Sequence, residues 1–165
     1  SSPIPPATYS IKKFREWATS DGGGAHGEIH HNGKVVASFT DDGMGGGIYM
    51  ERPYPRTEES DSAMEAFRLW ANAHPVLPYI WASWGFEPSR SDHTEEVIDF
   101  LISEHRIAKD VKKGYITWQT DNPLDAFTAK QGRKRARFSE AGAEWLRSTS
   151  PNAICRNSAQ PNWVV

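Results

Sequence analysis

One cysteine, Cys155, stands in a chain of 165 residues, so no intrachain disulfide can form. A folded chain of this size without disulfides fits a reducing compartment, here the cytoplasm. No apolar run approaches the ~18 residues that cross a bilayer, which excludes a transmembrane helix, and no membrane partner is expected. The first residues, Ser1 to Pro6, are polar and Pro-rich and show no secretory signal pattern. Aliphatic side chains are also scarce: five Leu, ten Ile and seven Val, with seven Phe, make 29 residues. So low a share accompanies disorder when net charge is high. Here 19 bases against 21 acids leave only −2. Seven Trp and five Tyr supply the missing apolar volume. The reading is a folded chain, one domain in size, whose core leans on aromatics.

What is present reads as α+β. Ser10 caps an expected helix over Ile11 to Ala18, where Ile11, Phe14, Trp17 and Ala18 fall on one helical face. Ala25 to His31 and Lys34 to Thr40 read as strands joined at Asn32-Gly33, the signal of a type I′ hairpin. Val35, Ala37 and Phe39 are expected on one face. A Gly-rich turn, Asp41 to Gly47, leads to a third strand, Ile48 to Glu51, which completes an antiparallel meander. Ser60 or Asp61 caps a helix carrying Met64, Phe67 and Trp70. Asp92 or Thr94 opens another through Val111, with a break near Ser103 and a stop at Gly114. Tyr115 to Gln119 and Arg135 to Phe138 read as strands, and Ser139 caps a helix with Ala143, Trp145 and Leu146. The expected organisation is a loose arm over 1–9, an α-β-β-β-α module over 10–74 and an aromatic, Pro-rich connector over 75–91. A helix–β-hairpin–helix half over 92–148 and a frayed tail over 149–165, with Trp163, Val164 and Val165, complete it. Trp17, Trp70 and Trp145 are expected in the core. Tyr79, Trp81, Trp84 and Phe86, in the broken connector, are the candidate protein-partner contact.

The near-zero net charge hides a split. Residues 91–104 hold five acids (Asp92, Glu95, Glu96, Asp99, Glu104) and no Lys or Arg. Residues 105–137 hold nine bases and three acids, a net charge of +6. Lys109, Lys112, Lys113, Lys130, Arg133, Lys134, Arg135 and Arg137 are therefore the candidate contact to nucleic acid or an acidic surface. The plain alternative is a solvated face whose cations pair with the acids just upstream.

Two resemblances follow. The run Arg133-Lys-Arg-Ala-Arg-Phe-Ser-Glu-Ala-Gly-Ala-Glu-Trp-Leu146 is similar to the last wing strand and closing helix of winged helix-turn-helix proteins, with a basic strand leading into a Ser-x-x-Gly helix start. That likeness implies that Lys109, Lys112, Lys113, Arg133, Lys134 and Arg135 lie near a phosphate backbone. The stretches Ile11 to Gly24, Asn32 to Ala37 and Asp41 to Gly46 resemble small accessory proteins of bacteriophages and mobile elements. Such proteins often inhibit host defence by binding, as anti-CRISPR proteins do.

Four constellations with catalytic potential are present. Glu28, His30 and His31, with Asn72 and His74 downstream, suit an HNH-type metal-dependent nuclease. However, strand alternation sends His30 and His31 to opposite faces. The Asp41–Gly47 loop lacks the Gly-Lys-Ser/Thr of a phosphate loop and the spacing of a calcium loop. Asp110-Val-Lys112 has the acidic-x-Lys pattern of restriction-type nucleases, but on a helix rather than a strand. Cys155 has no evident His partner. Phosphoesterases with paired His-x-Ser/Thr motifs are excluded, because none of the six histidines has Ser or Thr two places on.

The expectation is thus a non-enzymatic α+β protein with no catalytic residue, cofactor or metal ligand assigned. The leading role is an anti-defence inhibitor, anti-CRISPR-like, in the bacterial cytoplasm. It would bind a bacterial defence protein or nucleoprotein complex and block its use of nucleic acid. The alternatives are a winged-helix-like regulator binding DNA or RNA and an HNH-like nuclease.

Overall fold

A computed structural model describes residues 9–158 and shows an α+β fold. Of the arm expected over 1–9, residues 1–8 lie outside the described residues, as do Trp163, Val164 and Val165, while Tyr9 begins a strand. Strands β1 (Tyr9–Thr19), β2 (Gly22–His31), β3 (Lys34–Asp41) and β4 (Ile48–Glu51) form an antiparallel meander in that order. Helices α1 (Glu58–Asn72) and α3 (Thr94–Lys112) cover one face, and α2 (Leu77–Trp84) packs between them at one end. Ile11, Ile29, Ala37 and Phe39 meet Met64 and Phe67 of α1 and Ile98 and Ile102 of α3. Each of these Ile, Phe and Met side chains, once withdrawn from water, contributes about 1.5–3 kcal/mol. The Asn32-Gly33 turn has positive φ at both residues, 52° and 81°, as a type I′ hairpin requires.

The first element is a strand, not the helix expected over Ile11 to Ala18. Pairing runs Lys12 to Glu28 and then Arg15 to His26, so β1 carries one extra residue. This bulge sits at Lys13, whose φ is 52°. It resets the alternation, so Ile11 and Phe14 both face the helices at a spacing of three. A bulge thereby imitates helical periodicity. Trp17, expected in the core, pairs with Gly24 and is 39% exposed. A second irregularity, in β3, pairs Ile29 with Ala37 but His30 with Val35. Val36 and Ala37 are therefore buried and Val35 is exposed, against the expected order.

The helices also differ in detail. Thr57, not Ser60 or Asp61, caps α1: its hydroxyl accepts from the Ser60 amide at 3.0 Å, and Ser60 Oγ accepts from the Thr57 amide at 2.9 Å. The connector over 75–91 contains α2, because Pro78 falls in the first turn, where its missing N–H costs nothing, and Gly85 closes the helix in the left-handed region. Helix α3 runs through Ser103 without a break, and Gly114 follows it at φ 83°. Asp92 holds its start by accepting from the Thr94 amide and hydroxyl. No described helix is long and apolar enough to cross a membrane.

After α3 the chain builds a smaller unit. Strands β5 (Thr117–Gln119), β6 (Ala126–Thr128) and β9 (Ile154–Cys155) form one sheet, β7 (Lys130–Gln131) and β8 (Lys134–Arg135) a hairpin, and α4 (Glu140–Thr149) closes it. The expected strands 115–119 and 135–138 do not form one hairpin: they meet at an isolated Tyr115–Arg137 bridge, while β5 pairs with β6 and β9 and the second strand is only Lys134–Arg135. Residues 120–132, between the two stretches read as strands, carry β6 and β7. The unit's core is Ile116, Trp118 and Cys155. The tail is not frayed over 149–158: β9 pairs with β5 and Arg156 is buried. Trp145 is 66% exposed rather than core, because Ala143 and Leu146 take the inward face of α4. Trp118, not singled out from the sequence, is the largest fully buried side chain among the described residues.

Candidate nucleic-acid interface

The β7–β8 hairpin concentrates the positive charge of the window. Lys130, Arg133, Lys134, Arg135 and Arg137 line one groove of about 630 Å³, with Tyr115 as its sixth wall residue. The turn at Gly132, φ 68°, folds Lys130 back against Arg135 and so brings together cations from both strands. Tyr115 enters through an isolated bridge to Arg137. Its ring lies 5.6 Å from the Arg135 guanidinium carbon and 5.1 Å from that of Arg137. Arg137 donates to the Lys113 carbonyl at 2.7 Å, and Arg135 approaches Asp110 at 3.7 Å. Asp110 is itself held by the Thr128 hydroxyl at 2.6 Å. Two arginines are thus set in place by the end of α3 and an aromatic face.

Lys130, Arg133 and Lys134 make no ion pair among the described residues. Lys109 and Lys112 on α3, and Lys113 that caps it, are exposed and fall outside the groove lining. The acids of 91–104 do not neutralise these cations, as the plain alternative expected. Asp92 pairs with Arg68, Glu96 with Arg90 and Glu104 with Arg156, while Glu95 accepts from the Ile48 amide. With those carboxylates engaged elsewhere, the hairpin faces solvent with Asp110 as its one ion-pair partner among the described residues. Such a surface attracts polyanions, and in particular phosphates, which arginine can grip with paired N–H groups.

The connector aromatics divide. Tyr79, Trp84 and Phe86 are 42%, 42% and 64% exposed, and the Trp84 and Phe86 rings lie 6.2 Å apart. Trp81 instead turns inward, 5.1 Å from the His93 ring. Beside this patch a groove of about 470 Å³ between α2, α3 and β6 is lined by Glu96, Asp99 and Glu104 with one cation, Arg106, and by Phe127 on its β6 wall. That lining disfavours phosphate.

The catalytic constellations are dispersed. His30 bonds Glu28 at 3.0 Å, while His31, on the other face of the sheet, stacks on Tyr9 at 4.5 Å. Asn72 ties α1 to α3 by accepting from the His93 amide. His74 accepts from the Val76 amide through Nδ1, and its burial lowers its pKa to about 4. Asp41 and Asp42 accept from the amides of Gly43 and Met44 within their own turn. Asp110 and Lys112 lie on α3, as read. Cys155 is buried. Comparison of the chain with protein-family models, with curated proteins and with solved structures finds no match.

Proposed function

We propose that this chain binds nucleic acid through the phosphate backbone and that the β7–β8 hairpin is the contact. The observation that supports this is the gathering of five cations around Tyr115 in one solvent-facing groove. Lys and Arg at such a surface release counterions from the polyanion, so affinity falls with salt by about 0.7 (single strand) to 0.9 (duplex) log units per log unit for each phosphate engaged. The test is oligonucleotide binding across a salt series with the charge-reversed triple variant Arg133→Glu, Lys134→Glu, Arg135→Glu. Loss of affinity with a flattened salt slope is the expected result. A triple variant that binds as the parent does would refute the reading.

A second reading, favoured by the exposed Tyr79, Trp84 and Phe86, is an inhibitor of a bacterial nucleic-acid-targeting defence effector. The aromatic patch would anchor the protein partner, and the hairpin would occupy its nucleic-acid path. Expression in a bacterium with such a defence should then restore phage infection, and Trp84→Ala with Phe86→Ala should abolish the rescue. Rescue that survives both substitutions removes the aromatic anchor.

A further inference from the structure

The basic groove has a neighbour. A second groove, of about 710 Å³, is bounded by β6 and α4. Phe127, Trp145 and Leu146 give it apolar walls over Ile116, and Lys130 and Arg137 line both grooves. Phe127 is 40% exposed and Trp145 66% exposed. The buried core is mostly aliphatic rather than aromatic as expected, with Phe39, Phe67, Phe100 and Trp118 its aromatics, and Phe127 and Trp145 stand in solvent beside the chain's densest positive charge. No carboxylate lines either groove among the described residues.

We propose that this second groove receives unstacked bases of a single strand whose phosphates run along the basic groove, which makes the ligand single-stranded rather than duplex nucleic acid. The proposal rests on the backbone-binding reading above and names its substrate class. In a duplex the base faces are stacked on one another and unavailable to a side chain. A single strand offers them freely, and aromatic walls take them without regard to sequence. Charge places the phosphate side of the strand: cations without carboxylates favour a polyanion. Lys130 and Arg137, common to both linings, put the base-binding and phosphate-binding surfaces side by side. The acidic groove beside α2 shares Phe127 with this site but has three carboxylates and none of the hairpin's cations.

The experiment uses the full chain and four labelled probes of equal length: single-stranded DNA, single-stranded RNA, the DNA duplex, and an abasic single strand that keeps the phosphates without the bases. Anisotropy titrations at fixed salt are expected to show the better single strand binding roughly tenfold tighter than both the duplex and the abasic probe. Trp145→Ala and Phe127→Ala should each close most of that gap while leaving the slope of affinity against salt in place. Trp145 is exposed, so its variant keeps the fold, which a thermal melt checks. An abasic strand bound as tightly as the normal one, or a Trp145→Ala variant with undiminished single-strand preference, overturns the stacking site and leaves the backbone reading standing. Absence of salt-dependent binding to any probe overturns the backbone reading itself.

Discussion

Removal of Arg156 is the sharpest test of how the hairpin platform is held. The Arg156 side chain is 4% exposed and that of Glu104, on α3, 10%. The guanidinium donates to both Glu104 carboxylate oxygens and, at 3.0 Å, to Oε1 of the fully buried Gln119 on β5. One side chain from the last described turn thereby ties the tail to the long helix and to the small sheet. Arg156→Met keeps much of the volume but strands a buried carboxylate and a buried amide oxygen. Breaking a buried pair by removing one partner costs about 3–5 kcal/mol. For a protein with a stability of roughly 5–15 kcal/mol, that is about a fifth of the total or more. At about 2–4 °C per kcal/mol for a chain of this size, the midpoint should fall by about 10 °C. The companion variant, Glu104→Met with Arg156→Met, removes the orphaned charge and should recover most of the loss, because two matched apolar side chains replace a costly desolvated pair. Urea melts followed by tryptophan fluorescence suit the case, since Trp118 lies buried in the same small core. An Arg156→Met variant within about 1 kcal/mol of the parent, or a double variant no better than the single one, would refute the account.

Three further outcomes are expected. His74 accepts a hydrogen bond at Nδ1 and is desolvated, with its pKa lowered to about 4. The unfolded chain therefore takes up a proton first, so stability is whole above about pH 6.5 and falls by about 3 kcal/mol as pH drops to about 4. Asp99 titrates in the opposite sense, its pKa raised to about 6 by desolvation and then by Glu95 and Asp41. Its side chain is still solvent-exposed, so the effect there is the weaker, and the decisive quantity is the difference between parent and His74→Gln melts; equal pH profiles refute the argument. Asp110→Asn removes a negative charge beside the basic groove, yet it should weaken oligonucleotide binding, because Arg135 loses the partner that orients it; tighter binding would show that bulk charge alone governs the site. Lys13→Gly should raise stability by about 1 kcal/mol, since glycine adopts the bulge's positive φ without strain, and a thermal melt that shows a loss would contradict this.

What could be read from the chain divides along physical lines. The β2–β3 hairpin was legible because Asn32-Gly33 is a local demand on two φ angles. The helices α1 and α3 were legible because their apolar stripes repeat over many turns. Strand β1 was not, because one inserted residue changes the facing pattern from every second to every third position, and only the partner strand reveals it. The exposure of Trp145 is hidden in the sequence for a related reason: at two residues from Ala143 it points nearly away from the inward face of α4, a difference that a short helix hardly advertises.

The candidate site follows the same rule. Lys130, Arg133, Lys134, Arg135 and Arg137 are close in space because a tight turn makes sequence neighbours into groove neighbours. Tyr115 reaches them only by a bridge across 22 positions, and Arg156 reaches Glu104 across 52. An aromatic strand residue two places after a helix's terminal lysines, in a chain with a basic strand downstream, is the signal that would have pointed to Tyr115. No comparable signal exists for the buried pair. Long-range polar contacts of this kind are fixed by packing, since a buried arginine is tolerable only where the fold already places acceptors around it. The consequence for the interface is specific. Its charge is written in local sequence, whereas its rigidity, through Asp110, Tyr115 and Arg156, is written in the tertiary fold. A shuffled basic hairpin on another scaffold would therefore keep the salt dependence and lose the affinity that orientation provides.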